Sequence, residues 1–341
     1  MVLVTGATGI LGRVIVLQLL QRGMKVRATK RPGSILSEVQ ASWRFYTENY
    51  ADLFAEIEWV DVDFTDVNSL QAALEGVSQV YHCAAAVGFD PRDDRKIFDT
   101  NIKGTQNLLY AVESSSVEKF LFVSSISVLD EPNEKGELDE DSAYNPKLDH
   151  AAYPISKHFA EMEVWRASAE GLKVIVVVPG MIIGSGNWGQ SSGSIFSTYE
   201  KKKLMFPGTG SFVDVRDVAR ASIELMEGNH FGERFILISQ NLPYLQVGNM
   251  VRRKLGLKPA AKIPEKPLHM LVKISPFLSW LVPPLRLATP YNINAMTGIN
   301  RISNNKIRET LKFNFIPVDQ SIDFHVNNYI TDHNSRKKIN Q

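Results

Sequence analysis

Short apolar runs alternate with longer amphipathic stretches over the first two-thirds of the chain. The runs are VLVT, KVRAT, IEWVDV, QVYHCA, KFLFVS and LKVIVVVP, and several are apolar at consecutive positions. Strands of this kind, buried on both faces and separated by helices, are typical of a parallel sheet between two helix layers. The first helical stretch, GRVIVLQLLQRG, ends at Gly23, which can close a helix in the left-handed conformation. The pattern predicts an α/β fold with a doubly wound parallel sheet.

The pattern changes after Pro179. A glycine- and serine-rich segment, GSGNWGQSSGSIF, precedes FVDVRDVARASIELMEG and ERFILIS, which again indicate strand, helix and strand. From Asn241 onward, prolines and short amphipathic pieces dominate. We therefore expect a large domain over residues 1–183, to which 213–239 returns. Residues 184–212 and 240–341 would form a smaller C-terminal lobe.

The composition excludes several classes of protein. With 341 residues, 44% of them apolar, the chain can bury a substantial core. Its 38 basic and 37 acidic residues create no overall field that would attract nucleic acid, so a small-molecule or protein partner is expected. The one cysteine, Cys83, cannot form an internal disulfide, and MVLVTG begins a strand without the basic region of a signal peptide. These features predict a cytoplasmic protein.

One later segment qualifies that prediction. LHMLVKISPFLSWLVPPL, residues 268–285, is strongly apolar but contains charged Lys273 and is interrupted by Pro276, Pro283 and Pro284. It is too short and too interrupted to span a bilayer. We expect a helix that covers a substrate pocket or contacts another subunit, with an interfacial membrane anchor as the less favoured alternative.

The segment VTGATGILG places Gly6, Gly9 and Gly12 between the first strand and the first helix. A pyrophosphate group can bind at such a turn, because the backbone amides at the positive end of a helix are accessible where side chains are absent. A glycine turn with a purely structural role is the alternative. The spacing, with two residues between consecutive glycines, resembles that of the extended branch of the short-chain dehydrogenase/reductase superfamily.

Later motifs resemble those of the same superfamily and follow its order. They are DFTD (63–66), HCAAA (82–86), NIKGT (101–105), FVSSISV at the end of the fifth predicted strand, and YPISK (153–157). The resemblance covers roughly residues 1–240, and five motifs in the correct order are far less expected by chance than any one. It implies a Rossmann-type sheet with a smaller substrate-binding lobe, and a nicotinamide dinucleotide as cofactor.

The resemblance assigns catalytic roles to four residues. Tyr153 would be the acid/base, Ser125 would bind the reacting oxygen, and Asn101 would stabilise the central helix and hold a proton-relay water. Ser124 is the alternative to Ser125, because a one-residue slip in alignment exchanges them. A tyrosine with its ordinary pKa near 10 is a weak base at neutral pH, so Lys157, one helical turn further, would favour the phenolate.

The resemblance also implies a set of cofactor contacts, in which Asp63 would accept a hydrogen bond from the adenine amino group. The slot that holds an acidic residue in NAD-selective enzymes contains Lys30, followed by Arg31. Two cations favour binding of the 2′-phosphate of NADPH, although NAD is possible. The alternative is that the two residues are exposed at a strand end without a role in binding. The remaining expected contacts are Gly6, Thr8, Gly9, Ile10, Leu11, Gly12, Phe64, Cys83, Ala84, Ala85, Val123, Lys157, Pro179, Met181 and Ile182.

Sequence differences from related enzymes reduce the number of reactions expected of this chain. Dehydratases of this type follow the active-site serine or threonine with an Asp-Glu pair, whereas this chain has Ile126 and Ser127. Epimerases place an arginine before the strand FVDV, where this chain has Gly210 and Ser211. The segment VRATKRP resembles that of dihydroflavonol reductases. We therefore expect an NADPH-dependent reductase of a carbonyl on a fairly apolar substrate, with an epimerase or dehydratase as the alternative.

Two further hypotheses concern other classes of protein. A non-catalytic NADP-binding scaffold is disfavoured because all four catalytic residues are present. Cys83 lies in a predicted strand without a paired base, so packing is favoured over a nucleophilic role, and the seven histidines, His82 included, show no metal-ligand spacing. No metal is expected.

The superfamily also implies a homodimer. Its members commonly pair through the helix that carries the asparagine and the helix that carries the tyrosine and lysine. Here those helices would lie near residues 93–115 and 153–170, the second with Phe159, Met162 and Trp165. Phe277, Trp280 and Tyr291 of the lobe suit either an apolar ligand or an ordinary core.

Overall fold

The computed structural model describes residues 1–186, 188–189 and 191–339. Its strands, numbered along the chain, are β1 (Val2–Thr5), β2 (Val26–Lys30), β3 (Glu58–Asp61), β4 (Gln79–His82), β5 (Lys119–Val123), β6 (Lys173–Pro179), β7 (Met181–Ile183), β8 (Leu204–Met205), β9 (Thr209–Asp214), β10 (Glu233–Leu237), β11 (Gln240–Pro243) and β12 (Ala261–Lys262).

The α-helices lie between these strands and after them. They are α1 (Ile10–Gln21), α2 (Leu36–Trp43), α3 (Tyr50–Ala55), α4 (Val67–Leu74), α5 (Asp94–Phe98), α6 (Gly104–Glu113), α7 (Ala152–Ala169), α8 (Ile195–Lys201), α9 (Val215–Glu227), α10 (Tyr244–Lys254), α11 (Glu265–Leu278), α12 (Pro290–Thr297), α13 (Asn305–Leu311) and α14 (Val318–Ile339). Among the described helices, none has the length and apolar character that crossing a bilayer requires.

The predicted doubly wound parallel sheet is confirmed. Its order is β3-β2-β1-β4-β5-β6-β10, and every neighbouring pair is parallel. The chain runs outward from β1 to β3, then crosses back to β4 and builds the other half. In open sheets of this kind, ligands bind beyond the carboxyl ends of the strands, where the strand order reverses. That point lies between β1 and β4.

Burial on both faces explains the continuous apolar runs. In β1, Val2 and Val4 pack into one core and Leu3 into the other, because successive side chains of a strand point to opposite faces. β6 repeats this alternation, with Ile175 in the first core and Val176 in the second. Helices α1 and α9 cover one face, and α4, α6 and α7 cover the other. The sheet is thus rigid where it presents its carboxyl ends.

A second set of elements follows β6. β7, β9 and β11 form a three-stranded sheet, while β10 returns to pair with β6 in the large sheet. A third core joins α8, α10 and α14. The predicted division into a large domain and a substrate lobe remains a prediction. Asn187, Gln190, Asn340 and Gln341, which fall in the predicted lobe, lie outside the described residues.

A buried polar group, the sealed cluster of Ser185, Asp214, Ser321 and His325, fastens α14 to these strands. Nδ1 of His325 lies 2.7 Å from the Ser185 hydroxyl, and its Nε2 lies 3.2 Å from Oδ2 of Asp214. Ser321 donates a further hydrogen bond of 2.7 Å to Asp214, and each of the four residues is at most 1% exposed. Buried polar groups connected in this way stabilise one arrangement of the surrounding elements.

Candidate active site

The glycine turn after β1 packs too tightly for any side chain at two of its positions. Gly6 has a φ of +65°, and a Cβ there would lie 2.7 Å from the backbone nitrogen of Ala84. A Cβ on Gly12 would lie 2.3 Å from the carbonyl oxygen of Gly6. Gly9 begins α1 without a side-chain cap, and the first turn of the helix holds no acidic residue. The free amides and positive helix end can therefore bind a phosphate group.

Arg13, which the sequence interpretation did not single out, supports this turn from behind. Its side chain is 4% exposed and donates hydrogen bonds to the carbonyl oxygens of Gly9 (3.1 Å), Thr8 and Gly186 (3.4 Å). Burial lowers the pKa of the guanidinium. The sequence signal that could have identified Arg13 is the single charged residue in an otherwise uncharged helix. Arg13 connects the turn to the segment that follows β7.

A cavity of about 640 Å³ runs from the glycine turn along the carboxyl ends of the large sheet. It lies where the sheet topology places a ligand. Most of the predicted site residues line it, namely Gly6, Thr8, Gly9, Ile10, Leu11, Gly12, Lys30, Arg31, Phe64, Cys83, Ala84, Ala85, Val123, Ser125, Tyr153, Lys157, Pro179 and Ile182.

Three predicted residues do not line the cavity, and several others do so without having been predicted. Asp63 is held in a turn, where its carboxylate accepts hydrogen bonds from the amide (2.9 Å) and hydroxyl (2.8 Å) of Thr65, which lower its pKa. Asn101 is buried beside the cavity, and Met181 is 38% exposed outside it. Ser124, the alternative to Ser125, also lines the cavity, and the lining residues that were not predicted are Thr29, Val62, Ala86, Val87, Asp93, Lys96, Ile97, Thr100 and Gly180.

The two cations at the end of β2 differ in their surroundings. Lys30 lies in register with Asp61 of β3, and its Nζ is 2.6 Å from Oδ1 of that carboxylate. Arg31 is exposed at the cavity and makes no ion pair with a described residue. β2 thus has no carboxylate at this position, but Asp61 of the neighbouring strand supplies one and partly neutralises Lys30. Arg31 is the cation available to a phosphate group.

Ser125, Tyr153 and Lys157 meet at the other end of the cavity. Tyr153 opens α7, and burial raises its pKa, an effect that a hydrogen bond with Ser125 partly offsets. Ser125 also accepts a hydrogen bond of 3.0 Å from Ser127. The alternative serine, Ser124, also lines the cavity, but its hydroxyl donates a hydrogen bond to Glu161. Of the two serines, Ser125 is therefore the one that contacts the tyrosine.

Lys157 has a strongly perturbed pKa. It is 2% exposed, its Nζ lies 4.1 Å from the ring centroid of Phe122, and burial lowers its pKa to about 7. The expected electrostatic help to Tyr153 depends on a charged amine, which burial disfavours. Near neutral pH, small changes in the surroundings of Lys157 will change its charge.

Glu161 supplies the opposing influence. It lies one further turn along α7, is 2% exposed, and raises the pKa of Lys157. Its carboxylate accepts hydrogen bonds from Ser124 (2.5 Å), Trp165 Nε1 (3.2 Å) and Arg234 (3.3 Å). Tyr153, Lys157 and Glu161 recur every four residues, so one face of the helix carries all three. This four-residue spacing is visible in the sequence YPISKHFAE, but Glu161 was not predicted from it.

Asn101 lies in a π-helical turn, Asp99–Lys103, between α5 and α6. Its side chain accepts a hydrogen bond of 2.7 Å from the amide of Ala86 and donates bonds of 2.9 Å to the carbonyl of Ala86 and to Ser156. It thereby joins the loop after β4 to the helix that bears Tyr153. Such turns recur at functional sites, where they aim a side chain out of helical register.

His82 ends β4 and Cys83 follows it, and the two differ in their access to the cavity. The Cys83 thiol lines it, but burial raises the thiol pKa to about 12, which suppresses nucleophilic reactivity. His82 lies beneath it, 2.7 Å from Thr5 Oγ1 and 3.0 Å from Thr105 Oγ1, and burial lowers its pKa to about 3. Both groups are therefore neutral at physiological pH.

Aromatic and aliphatic side chains surround Tyr153 on the side away from the glycine turn. The rings of Phe89 and Tyr153 lie 6.1 Å apart, and Val87 and Ile97 line the cavity. Tyr291 is packed beside His150, with ring centroids 5.8 Å apart. This end of the site can accept an apolar molecule.

Comparison with known proteins agrees with this geometry. The profile of the NAD dependent epimerase/dehydratase family matches residues 2–236. Sterol demethylase protein B of Methylococcus capsulatus is 29% identical over 248 residues, which are 72% of this chain and 71% of that protein. Dihydroflavonol 4-reductase of Arabidopsis thaliana is 26% identical over 268 residues, 74% and 69% of the two chains.

Solved structures extend the similarity to the whole chain. The crystal structure of gox2253 superposes with a TM-score of 0.82 at 25% identity, covering 97% of this chain and 98% of that one. UDP-glucose 4-epimerase of Thermotoga maritima superposes with a TM-score of 0.75 at 19% identity, covering 97% and 99%. At that identity the second match shows the shared fold alone.

Proposed function

Because the chain belongs to the NAD dependent epimerase/dehydratase family, whose members are NAD(P)-dependent enzymes, we propose that it uses NADPH to reduce a carbonyl group on a small, fairly apolar substrate. The observation that carries this proposal is the hydrogen-bonded pair of Ser125 and Tyr153, with Lys157 one helical turn further, in a cavity that extends to Arg31. Relatives named as reductases support the same reaction class.

The proposed chemistry divides between cofactor and protein. When bound, the nicotinamide supplies a hydride, which brings two electrons to the carbonyl carbon. As the C=O double bond becomes a single bond, Tyr153 donates its hydroxyl proton to the oxygen and Ser125 holds that oxygen by a hydrogen bond. A charged Lys157 stabilises the tyrosinate until it regains a proton. The product is an alcohol with one new C–H and one new O–H bond.

The residues present fit a dinucleotide along the cavity. The glycine turn and the amino end of α1 would bind the pyrophosphate, and Arg31 would bind the 2′-phosphate. Phe64 and Val62 would flank the adenine. The roles of all these residues, and of Asn101 as a support for the loop after β4, belong to the proposal.

An epimerase remains the second candidate because the matched family includes that activity. The position before FVDV argues against it. Ser211 is 3% exposed and donates a hydrogen bond of 2.6 Å to Asn241, while a Cβ on Gly210 would lie 2.7 Å from the ring of Tyr244. These positions therefore have no room for a cation that would pair with a sugar diphosphate.

Mass spectrometry of the nucleotide released from purified protein, with titration by NADPH and NADH, tests the proposal. We expect exchangeable binding with a strong preference for NADPH. Tightly retained NAD would favour the epimerase, and equal catalytic efficiency with both cofactors would exclude NADPH selectivity.

Two matched substitutions test the preference for NADPH at the end of β2. Arg31→Ser should raise the KM for NADPH roughly tenfold, because it removes a charge-assisted contact, and should leave that for NADH nearly unchanged. Asp61→Asn should act in the opposite direction, because it frees Lys30 from its ion pair and removes a charge that repels phosphate. Parallel changes with both cofactors would contradict the assignment.

We further propose a homodimer built on α6 and α7. Tyr110 on α6 is 61% exposed, and Phe159 and Met162 on α7 are 51% and 43% exposed. Trp165, also expected at this interface, instead turns inward to Glu161. Light scattering should give the mass of two chains, and a monomeric mass would refute the dimer.

A further inference from the structure

Helix α11 and the residues after it expose an unusual amount of apolar surface. Phe277 is 76% exposed, Trp280 74% and Leu281 63%, and Leu268 is the one buried residue of α11. None of the residues from 265 to 287 lines the described cavity, and the expectation that this segment covers a substrate pocket or contacts another subunit stays a prediction. An exposed apolar patch of this size on a protein marks an interaction surface.

The exposed side chains of α11 share one face and alternate between cations and apolar groups. Lys266, Met270, Lys273 and Phe277 follow one another at spacings of four, three and four residues, and all four are exposed. Trp280 and Leu281 continue the same stripe beyond the helix end. We call these six residues the docking patch.

The stretch of the chain that contains the docking patch is rich in cations. Residues 245–308 contain eleven lysines and arginines and one acidic residue, Glu265, although the whole chain carries a net charge of only +1. Lys266 and Lys273 make no ion pair with a described residue. Four other cations of this stretch, Lys254, Lys262, Arg301 and Lys306, pair with carboxylates. Lys266 and Lys273 are therefore the cations of the docking patch that an anionic surface would attract.

The segment that follows the docking patch is joined to a loop at the cavity. The Asn292 side chain donates hydrogen bonds to the carbonyl oxygens of Leu287 (3.0 Å) and Phe89 (3.2 Å), which joins the segment after α11 to the loop after β4. In that loop Val87 lines the cavity, and Val87 and Phe89 are 49% and 46% exposed. The segment after the docking patch is thus held against a loop whose exposed apolar side chains border the cavity that contains Tyr153.

We propose that the docking patch binds the surface of an anionic lipid bilayer. Phe277, Trp280 and Leu281 lie in the headgroup region, and Lys266 and Lys273 contact lipid phosphates, which is the arrangement of interfacial amphipathic helices. An apolar substrate dissolved in the lipid then enters the cavity at Val87. That last step rests on the proposed reductase function, whereas lipid binding does not.

A second copy of the chain fits the same surface less well. A symmetric contact would set the docking patch against itself, so Lys266 and Lys273 would face like charges, and the docking patch itself contains no acidic residue. A bilayer rich in anionic lipid offers the opposite charge over the whole face. Electrostatic complementarity therefore favours the lipid surface.

Vesicle co-sedimentation of the full chain tests the proposal. The wild-type protein should bind vesicles of phosphatidylcholine with phosphatidylserine, bind phosphatidylcholine vesicles less, and lose binding as salt rises. Lys266→Gln with Lys273→Gln should weaken the binding by roughly fivefold per lysine. Phe277→Ser with Trp280→Ser should remove most of it, and Ile35→Ser, 62% exposed outside the docking patch, should bind as wild type.

The opposite results would overturn the proposal. Wild-type binding by the Phe277 and Trp280 variant would show that other residues contact lipid. Absence of vesicle binding, together with a concentration-dependent mass that the Trp280 substitution abolishes, would identify self-association instead. NADPH titration of the same preparations separates these results from failure of the proposed reaction, because the docking patch lies outside the cavity.

Discussion

Two buried polar clusters in this molecule contain similar groups and are suited to opposite tasks. The sealed cluster joins a serine, a histidine and an aspartate, the composition of a hydrolytic triad, yet Ser185, Asp214 and His325 are at most 1% exposed and line no described cavity. Ser125, Tyr153 and Lys157 open onto a cavity of about 640 Å³. Residue types alone therefore do not make an active site, since a substrate must also reach them.

The clusters also differ in how their charges are balanced. Burial alone would raise the pKa of Asp214, but hydrogen bonds from Arg216 and His325 outweigh it and hold that pKa well below the usual range. Lys157 has a single carboxylate, Glu161, to oppose its burial, and its pKa falls to about 7. The sealed cluster, whose charges are balanced, contributes stability. The group around Lys157, whose charge is less well balanced, keeps an amine that can change charge near neutral pH.

Removing the Tyr153 hydroxyl should have the largest effect on activity. Tyr153→Phe should lower kcat about 10²- to 10⁴-fold, because the proton donor is lost, while the melting temperature and NADPH binding stay near wild type. Steady-state kinetics with thermal unfolding would measure both. Tyr144→Phe, a tyrosine stacked on His158 outside the cavity, is the matched control. Intact activity in Tyr153→Phe would favour the scaffold hypothesis.

Breaking the sealed cluster should lower stability and leave activity unchanged, the opposite of the Tyr153 substitution. Asp214→Asn should lower the free energy of unfolding by about 3 kcal/mol, because it leaves buried partners uncompensated, with kcat per folded molecule unchanged. Chemical denaturation would measure the loss. Asp323→Asn, on the exposed side of α14, should cost less than about 1 kcal/mol. A large fall in kcat in Asp214→Asn would mean that the two clusters are coupled.

The sealed cluster should also make stability depend on pH. Burial lowers the pKa of His325, and the pKa of Asp214 is lowered too, so the unfolded chain binds more protons at both groups. Their contribution is complete above the ordinary histidine pKa of about 6.5 and decreases in acid. The acid loss of stability should be shallower in Asp214→Asn, and an unchanged slope would contradict this account.

A smaller effect should follow from neutralising Glu161. Because its carboxylate raises the pKa of Lys157, Glu161→Gln should lower that pKa, so the amine loses its proton at lower pH. The decline of kcat on the alkaline side should therefore begin at lower pH, whereas a purely structural role would scale the whole profile equally. Glu163→Gln, on the same helix but facing Gln106 and Arg166, should leave the profile in place.

The fold and most of the cavity lining follow from local sequence patterns. Consecutive apolar residues predict buried parallel strands, and the motifs around Gly6, Ser125 and Tyr153 each lie within a few consecutive residues. Contacts between distant segments were harder to predict. Asp61 meets Lys30 only because β2 and β3 pair in register, and Arg13 reaches Gly186 across 173 positions. Asp63 was expected at the adenine; its carboxylate lies in a local turn with Thr65, and its contact with the adenine stays a prediction.

The position of Cys83 has a practical consequence at the bench. It is the chain's one thiol, it lies on the cavity wall, and its pKa of about 12 keeps it in the slowly reacting protonated form. Alkylation of the native protein should therefore be slow and should report on a single place. A nucleotide in the cavity should slow the alkylation further. The rate at which the protein gains mass would therefore measure how fully any compound occupies the cavity, before its turnover is known.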